Sequence, residues 1–156
     1  MKTIEATLVY LFKDDKCLML YRNKKENDLH EGKWNGLGGK IEVGESPSEC
    51  AIREVREESG LEISSLKFAG HITFPAFDKE GNDWSVFIFT SNDFHGKLSE
   101  NPDEGDLHWI DTDKILQLNL WEGDHHFIPL LLSKKLFLGK FTYKDKRLLQ
   151  YTLRKI

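Results

Sequence analysis

A chain of 156 residues, 39% hydrophobic and 31% charged, can bury a real core but is too short for two ordinary domains, so a single domain over 1–156 is expected. The net charge of −4, from 22 basic and 26 acidic residues, argues against binding a nucleic-acid backbone but leaves a free, metal-bearing nucleotide open. No apolar stretch approaches the roughly 20 residues that span a bilayer, and Glu5 interrupts what would be a signal peptide, so a cytoplasmic protein without a membrane partner is expected.

In chain order, Thr3–Phe12 and Cys17–Tyr21 are rich in β-formers and flank the polar turn Lys13–Lys16, which reads as a hairpin. Asn23–Gly39 is polar and glycine-bearing, hence mostly loop with a short strand near its end. A helix follows Glu45: Ser46 suits the N-cap, Pro47 the first helical position, Glu49 completes a capping box, and Gly60 fits the residue that ends the helix. Ala51, Ile52 and Val55 supply its apolar stripe. Strands are expected at Leu66–Phe74, Trp84–Thr90 and Leu107–Ile110, with a turn over Asp78–Asp83. Asp113–Leu118 and Asp124–Lys134 read as helices, the second turning Phe127, Leu130 and Leu131 inward, and the tail closes as a hairpin around Lys144–Lys146. The fold class is therefore mixed, α/β or α+β. Cys17 and Cys50 make no disulfide framework and read as buried structural thiols.

The chemistry concentrates between Gly39 and Leu61. Glu54, Glu57 and Glu58 stand at i, i+3 and i+4, so a helix puts all three on one face. Like charges at that spacing cost a few tenths of a kcal/mol per pair, a cost that a bound cation would remove. Clustered carboxylate oxygens suit Mg2+, which is hard, small and commonly shared with substrate phosphates. The plainer reading is a solvated helix face, with Arg53 and Glu57 as an ordinary i, i+4 pair. The glycine-rich Gly36-Leu37-Gly38-Gly39 tilts the balance, since such a loop lets backbone approach a phosphate closely.

This stretch resembles the Nudix box, Gly-x5-Glu-x7-Arg-Glu-U-x-Glu-Glu-x-Gly-U with U aliphatic, at every defined position from Gly39 to Leu61. The resemblance implies a mixed β-sheet sandwiched between helices, with the box as a loop–helix–loop. It implies that Glu54, Glu57 and Glu58 hold Mg2+, or Mn2+ in its place, with help from the Gly39 carbonyl and from a carboxylate in the later acidic loop. Glu104 fits that last role best, ahead of Asp103 and Glu100. Arg53 and Glu45 would brace the loop by ion pairing, and Gly60 would close the helix. A glutamate, Glu54 or Glu58, would direct a water at phosphorus.

Outside the box, Gly32-Lys33-Trp34-Asn35-Gly36-Leu37-Gly38-Gly39-Lys40, the Leu120–Leu132 segment and Tyr151–Arg154 are similar to MutT-type and MutX-type members of the family, which act on oxidised purine nucleotides such as 8-oxo-dGTP. That similarity implies a nucleotide site at Asn35, Gly38, Lys40, Trp121 and Asp124. Asn35 offers an amide able to read a purine edge, Trp121 a flat face, and Asp124 an acceptor or, if protonated, a donor. The plain alternatives are a turn residue, a core tryptophan and a helix cap. Where the animal members of this group have two adjacent aspartates after the tryptophan, this chain has Gly123-Asp124. Thr7 is a further pocket candidate, while Lys25, His125 and His126 read as surface residues. The expected partner is a free nucleotide, with no obligate protein partner and a monomer or homodimer. A hydrolase for another nucleotide, an isoprenoid diphosphate isomerase or a non-catalytic nucleotide sensor is the alternative to an oxidised-purine triphosphatase.

Overall fold

The computed structural model describes residues 2–25 and 28–156; of the expected loop Asn23–Gly39, residues 26 and 27 lie outside the described residues. Strands β1 (Thr3–Lys13) and β2 (Lys16–Arg22) form the expected hairpin. Its two turn residues, Asp14 and Asp15, both take left-handed φ values of 52° and 62°. That is the geometry a two-residue hairpin demands and that aspartate tolerates better than most residues. The closing hairpin, β8 (Phe137–Lys144) and β9 (Arg147–Lys155), repeats the device with Asp145 and Lys146.

The polar stretch before the box contributes two short strands rather than one, β3 (Trp34–Asn35) and β4 (Leu37–Lys40), separated by Gly36. β5 (Leu61–Phe74) and β6 (Asp83–Gly96) run well past their expected limits, as far as a Leu61–Gly96 pair. Register irregularities between Ile63 and Gly70 let the pairing continue through polar residues that no period-2 pattern marks. β7 (Gly105–Asp111) also starts earlier than expected. The expected helix at Asp113–Leu118 is a 3-10 helix over Thr112–Gln117. The second α-helix ends at Leu132 instead of Lys134, because Lys134 turns left-handed at φ 58°.

The larger part of the sheet runs β4-β1-β6-β5-β8-β9, with the β1·β6 and β5·β8 pairs parallel and the others antiparallel. β2 turns out of it to pair with β3 and β7. Side-chain alternation along β1 sends Val9 and Leu11 to one face and Ala6 and Tyr10 to the other, building two cores. The first lies under helix α1 (Pro47–Ser59) with Leu18, Leu37, Ala51 and Val55. The second holds Ile72, Phe137, Phe141 and helix α2 (Asp124–Leu132). In α2, Phe127, Ile128 and Leu131 are the buried apolar residues, and Leu130, expected to face inward, is only partly covered. A mixed sheet between helices is the fold class expected.

Helix α1 starts as its sequence dictates. Ser46 accepts from the Glu49 N–H at 3.1 Å while the Glu49 carboxylate accepts from the Ser46 N–H at 2.9 Å. Gly60 ends it at φ 81° and returns its N–H to the Arg56 carbonyl. Burying Val55 completely fixes the helix to the sheet, a contribution on the order of 2 kcal/mol. Both thiols are buried and free. Cys50 tucks under the box loop, sharing a hydrogen bond with Thr7 and donating to the Gly39 and Lys40 carbonyls.

Candidate active site

The last turn-and-a-half of α1 leaves Glu54, Glu57 and Glu58 on one face, looking at the loop that leads into β7. Between them lies an acidic cleft of about 130 Å3, lined by those three glutamates, Asp103, Glu104 and Lys25. Glu100 is not among the lining residues. Glu57 is largely exposed, whereas Glu54 and Glu104 are mostly covered, with side-chain exposures of 16% and 25%. Burial pushes the Glu58 carboxyl well above the usual carboxylate range, and the neighbouring Glu104 and Glu54 charges push the same way. The cleft thus concentrates carboxylates in one partly covered space.

Part of that charge is met by side chains. Arg53 lays its guanidinium fork across the box, donating to both carboxylate oxygens of Glu45 at 2.6 and 2.9 Å, to Glu54 at 2.9 Å and to the Lys40 carbonyl at 3.2 Å. The pairing with Arg53 holds the Glu45 carboxyl down at about 2. On the opposite wall, Lys25 pairs with Glu104 at 3.1 Å and Arg22 approaches it at 3.7 Å. Lys25 is exposed as expected, yet it stands at the rim of the acidic cleft and not on an idle surface. Among the described residues, no three His, Cys, Asp or Glu side chains are drawn together closely enough to hold a metal as they stand.

The glycines matter here for room. A Cβ on Gly39 would lie 2.6 Å from the Glu54 carboxyl carbon, and one on Gly38 would lie 2.0 Å from the Thr7 carbonyl oxygen. The loop is thus pressed against β1, and Glu54 rests directly on its backbone. The Gly38 N–H points at Glu58 from 3.4 Å.

A second, larger cavity of about 710 Å3 opens from the same place, sharing Glu54 and Glu104 with the acidic cleft. Gly38, Gly39 and Lys40 line its near end, Thr7 and Leu8 its floor, and Asn35, Trp121 and Asp124 its far end. The sequence-predicted residues Asn35, Gly38, Lys40, Trp121 and Asp124 are therefore brought to one space. Trp121 is only 5% exposed, wedged among His30, Phe77 and Tyr143, so the cavity meets a small part of its ring. Lys40 lies over the Trp84 ring, 5.7 Å from its centroid.

The far end holds polar groups with nothing to bond. The Asn35 amide nitrogen Nδ2 is buried without a hydrogen-bond partner among the described residues. Asp124 is 8% exposed, accepts no hydrogen bond from the described residues, and has its carboxyl pushed up to about 8 by burial, so it is largely protonated at neutral pH. Such groups cost free energy in an empty wall and are useful against a ligand.

Sequence reasoning missed several cavity residues. His30 accepts the Trp121 indole N–H at 2.8 Å, and burial lowers its pKa to about 4, keeping that nitrogen free to accept. Tyr143, Phe74 and Phe77 also line the cavity. No local pattern marks a lone histidine in a polar loop or a tyrosine in the closing hairpin. His125 and His126 are exposed outside it, the latter stacked on Tyr151 at 4.1 Å.

The fold and this glycine–glutamate arrangement define a class. The NUDIX domain family matches residues 2–131, and the chain belongs to that family of hydrolases. Among its relatives, the oxidized purine nucleoside triphosphate hydrolase of Mus musculus is 36% identical over 151 residues, covering 96% of this chain and 94% of that protein. The enzyme of the same name from Danio rerio is 38% identical over 138 residues, covering 88% and 85%. In structure, the mutator MutT protein of Bacillus halodurans superposes with a TM-score of 0.85 at 30% identity, over 96% of this chain and 97% of that one.

Proposed function

We propose that this protein hydrolyses oxidised purine deoxynucleoside triphosphates, 8-oxo-dGTP foremost, to the monophosphate and pyrophosphate, using Mg2+, and so cleans the nucleotide pool. The observation that carries the reading is the continuity of the two cavities: a carboxylate cleft at one end, and the Asn35 amide and Asp124 carboxyl at the other, joined at Glu54 and Glu104. A volume of about 710 Å3 lies in the range of nucleotide-sized sites. The relatives from mouse and zebrafish, by their names, act on oxidised purine nucleoside triphosphates.

The cleft's donors are all oxygen, which fits a hard divalent cation and rejects a soft one. Glu54, Glu57, Glu58 and Glu104, with the Gly39 carbonyl, would hold Mg2+, and Mn2+ would substitute. When bound, the ion neutralises phosphate oxygens and makes a water more acidic. Arg53 keeps Glu54 oriented and the box loop closed. Glu54 or Glu58 would take the proton of the attacking water. Asn35 and Asp124 orient the base, so that the triphosphate reaches the cleft in one direction. Among the described residues no helix is long and apolar enough to cross a membrane, and the proposed place of work is the cytoplasm, on free nucleotides.

The test is pyrophosphate and monophosphate release with Mg2+, comparing kcat/KM for 8-oxo-dGTP, dGTP, dATP and a dinucleoside polyphosphate, with Glu57→Gln as the control. A preference of at least tenfold for 8-oxo-dGTP, about 1.4 kcal/mol of transition-state discrimination, is expected. Turnover without that preference sinks the substrate assignment, and binding without any turnover sinks the catalytic one.

A further inference from the structure

Tyr143 belongs to the closing hairpin, far in sequence from the box and from the segment that carries Asp124. Its ring packs against Trp121, Phe77 and Phe74, and the residue is 9% exposed at the cavity's far end. Its hydroxyl oxygen accepts the Gly123 N–H at 2.6 Å. A Cβ at position 123 would stand 2.7 Å from that oxygen, so residue 123 has to be glycine while the phenol stays where it is. Among the described residues, the phenol's own proton goes to no acceptor. Burial raises the pKa of the phenol, and any charge on Asp124 would push it the same way, so the proton stays on the oxygen.

We infer that the Tyr143 hydroxyl is a specificity-determining donor for a carbonyl oxygen of the purine, in a place that Gly123 keeps clear. The inference rests on the nucleotide reading above. Together with the unpartnered Asn35 nitrogen, the phenol makes the far wall rich in donors. A wall of donors matches the lone pairs of an oxo-purine. It leaves the exocyclic amino group of adenine facing another donor, a mismatch that enzymes exploit because the buried group is left unpaired.

Tyr143→Phe removes the oxygen and keeps the ring. With Mg2+, kcat/KM for 8-oxo-dGTP and dGTP is expected to fall about tenfold, while that for dATP stays within about twofold, so that the oxo-over-amino preference shrinks by the same factor. Equal losses on all three nucleotides would assign the hydroxyl a purely structural role and overturn the inference, and so would no loss on any. If the unaltered enzyme hydrolyses none of them, the nucleotide reading fails first and this one with it. A second readout needs no variant: in wild-type protein carrying 13Cζ-tyrosine, one buried tyrosine resonance should move on adding dGMP and not on adding dAMP. Identical responses to the two would again overturn the inference.

Discussion

Asp124 would couple the stability of the fold to the base reading proposed for it, and replacing it with asparagine separates the two. A carboxyl with a pKa of about 3.9 in an unfolded chain is pushed up to about 8 in the folded one, mainly by burial. Because the folded value is the higher, the protonated carboxyl's contribution is complete below about pH 4. It is lost as pH rises, and the loss is finished once pH passes about 8. At pH 7 roughly three pKa units separate the unfolded carboxyl from the working pH, and at 1.36 kcal/mol per unit the ceiling on the cost is about 4 kcal/mol. Asp124→Asn cannot ionise and keeps the shape. It should match wild type near pH 4 and exceed it increasingly toward pH 8, reaching up to about 10 °C in Tm at pH 7 for a chain of this size. Urea unfolding of both proteins at pH 4, 5.5, 7 and 8 measures the difference at each point. A difference that does not change with pH, or one that favours aspartate at pH 8, would refute the assignment of a buried neutral carboxyl. The same substitution should flatten the alkaline decline of kcat/KM for the preferred nucleotide.

Further outcomes follow from the box. Gly39→Ala drives a methyl into the Glu54 carboxyl and should lower kcat at least tenfold in steady-state assays. Gly44→Ala, whose Cβ meets nothing but sits at φ 82°, should cost only about 1–2 kcal/mol in unfolding experiments and leave kcat unchanged. Arg53→Lys keeps the charge and loses the fork that holds Glu45 and Glu54 together, so kcat should fall while the thermal midpoint drops modestly. Ser46→Ala removes half of the capping box and should destabilise the protein by about 1 kcal/mol with no change in substrate preference, read by urea midpoint and by the 8-oxo-dGTP to dGTP ratio.

The box and its helix were legible because their signals are local. Ser46, Pro47, Glu49 and Gly60 specify where α1 starts and stops, and the i, i+3, i+4 spacing of the glutamates then dictates a shared face. Asn35, Trp121 and Asp124 were marked only by likeness to relatives, yet they converge on one cavity. What stayed hidden is non-local. β5 and β6 extend through irregular pairing that depends on each strand having the other, so no pattern within either predicts their length. The roles of His30 and Tyr143 come from partners 91 and 20 residues away, Trp121 and Gly123, and nothing beside them in sequence announces it. Lys25 read as idle because the acidic loop that it meets is 79 residues further on.

The central strand has a consequence for how such a protein can change. β4, which carries Gly38 and Gly39, is hydrogen-bonded to β1 from Ala6 to Val9, and β1 also lends Thr7 and Leu8 to the cavity floor. The span between the proposed cutting end and the proposed reading end is therefore ruled by main-chain bonds, which do not depend on side-chain identity. The reading end is furnished from elsewhere, by α2 and the last hairpin. If the proposed site is right, new bases could be tried there by swapping side chains, while the main-chain ruler toward the glutamates would keep its length.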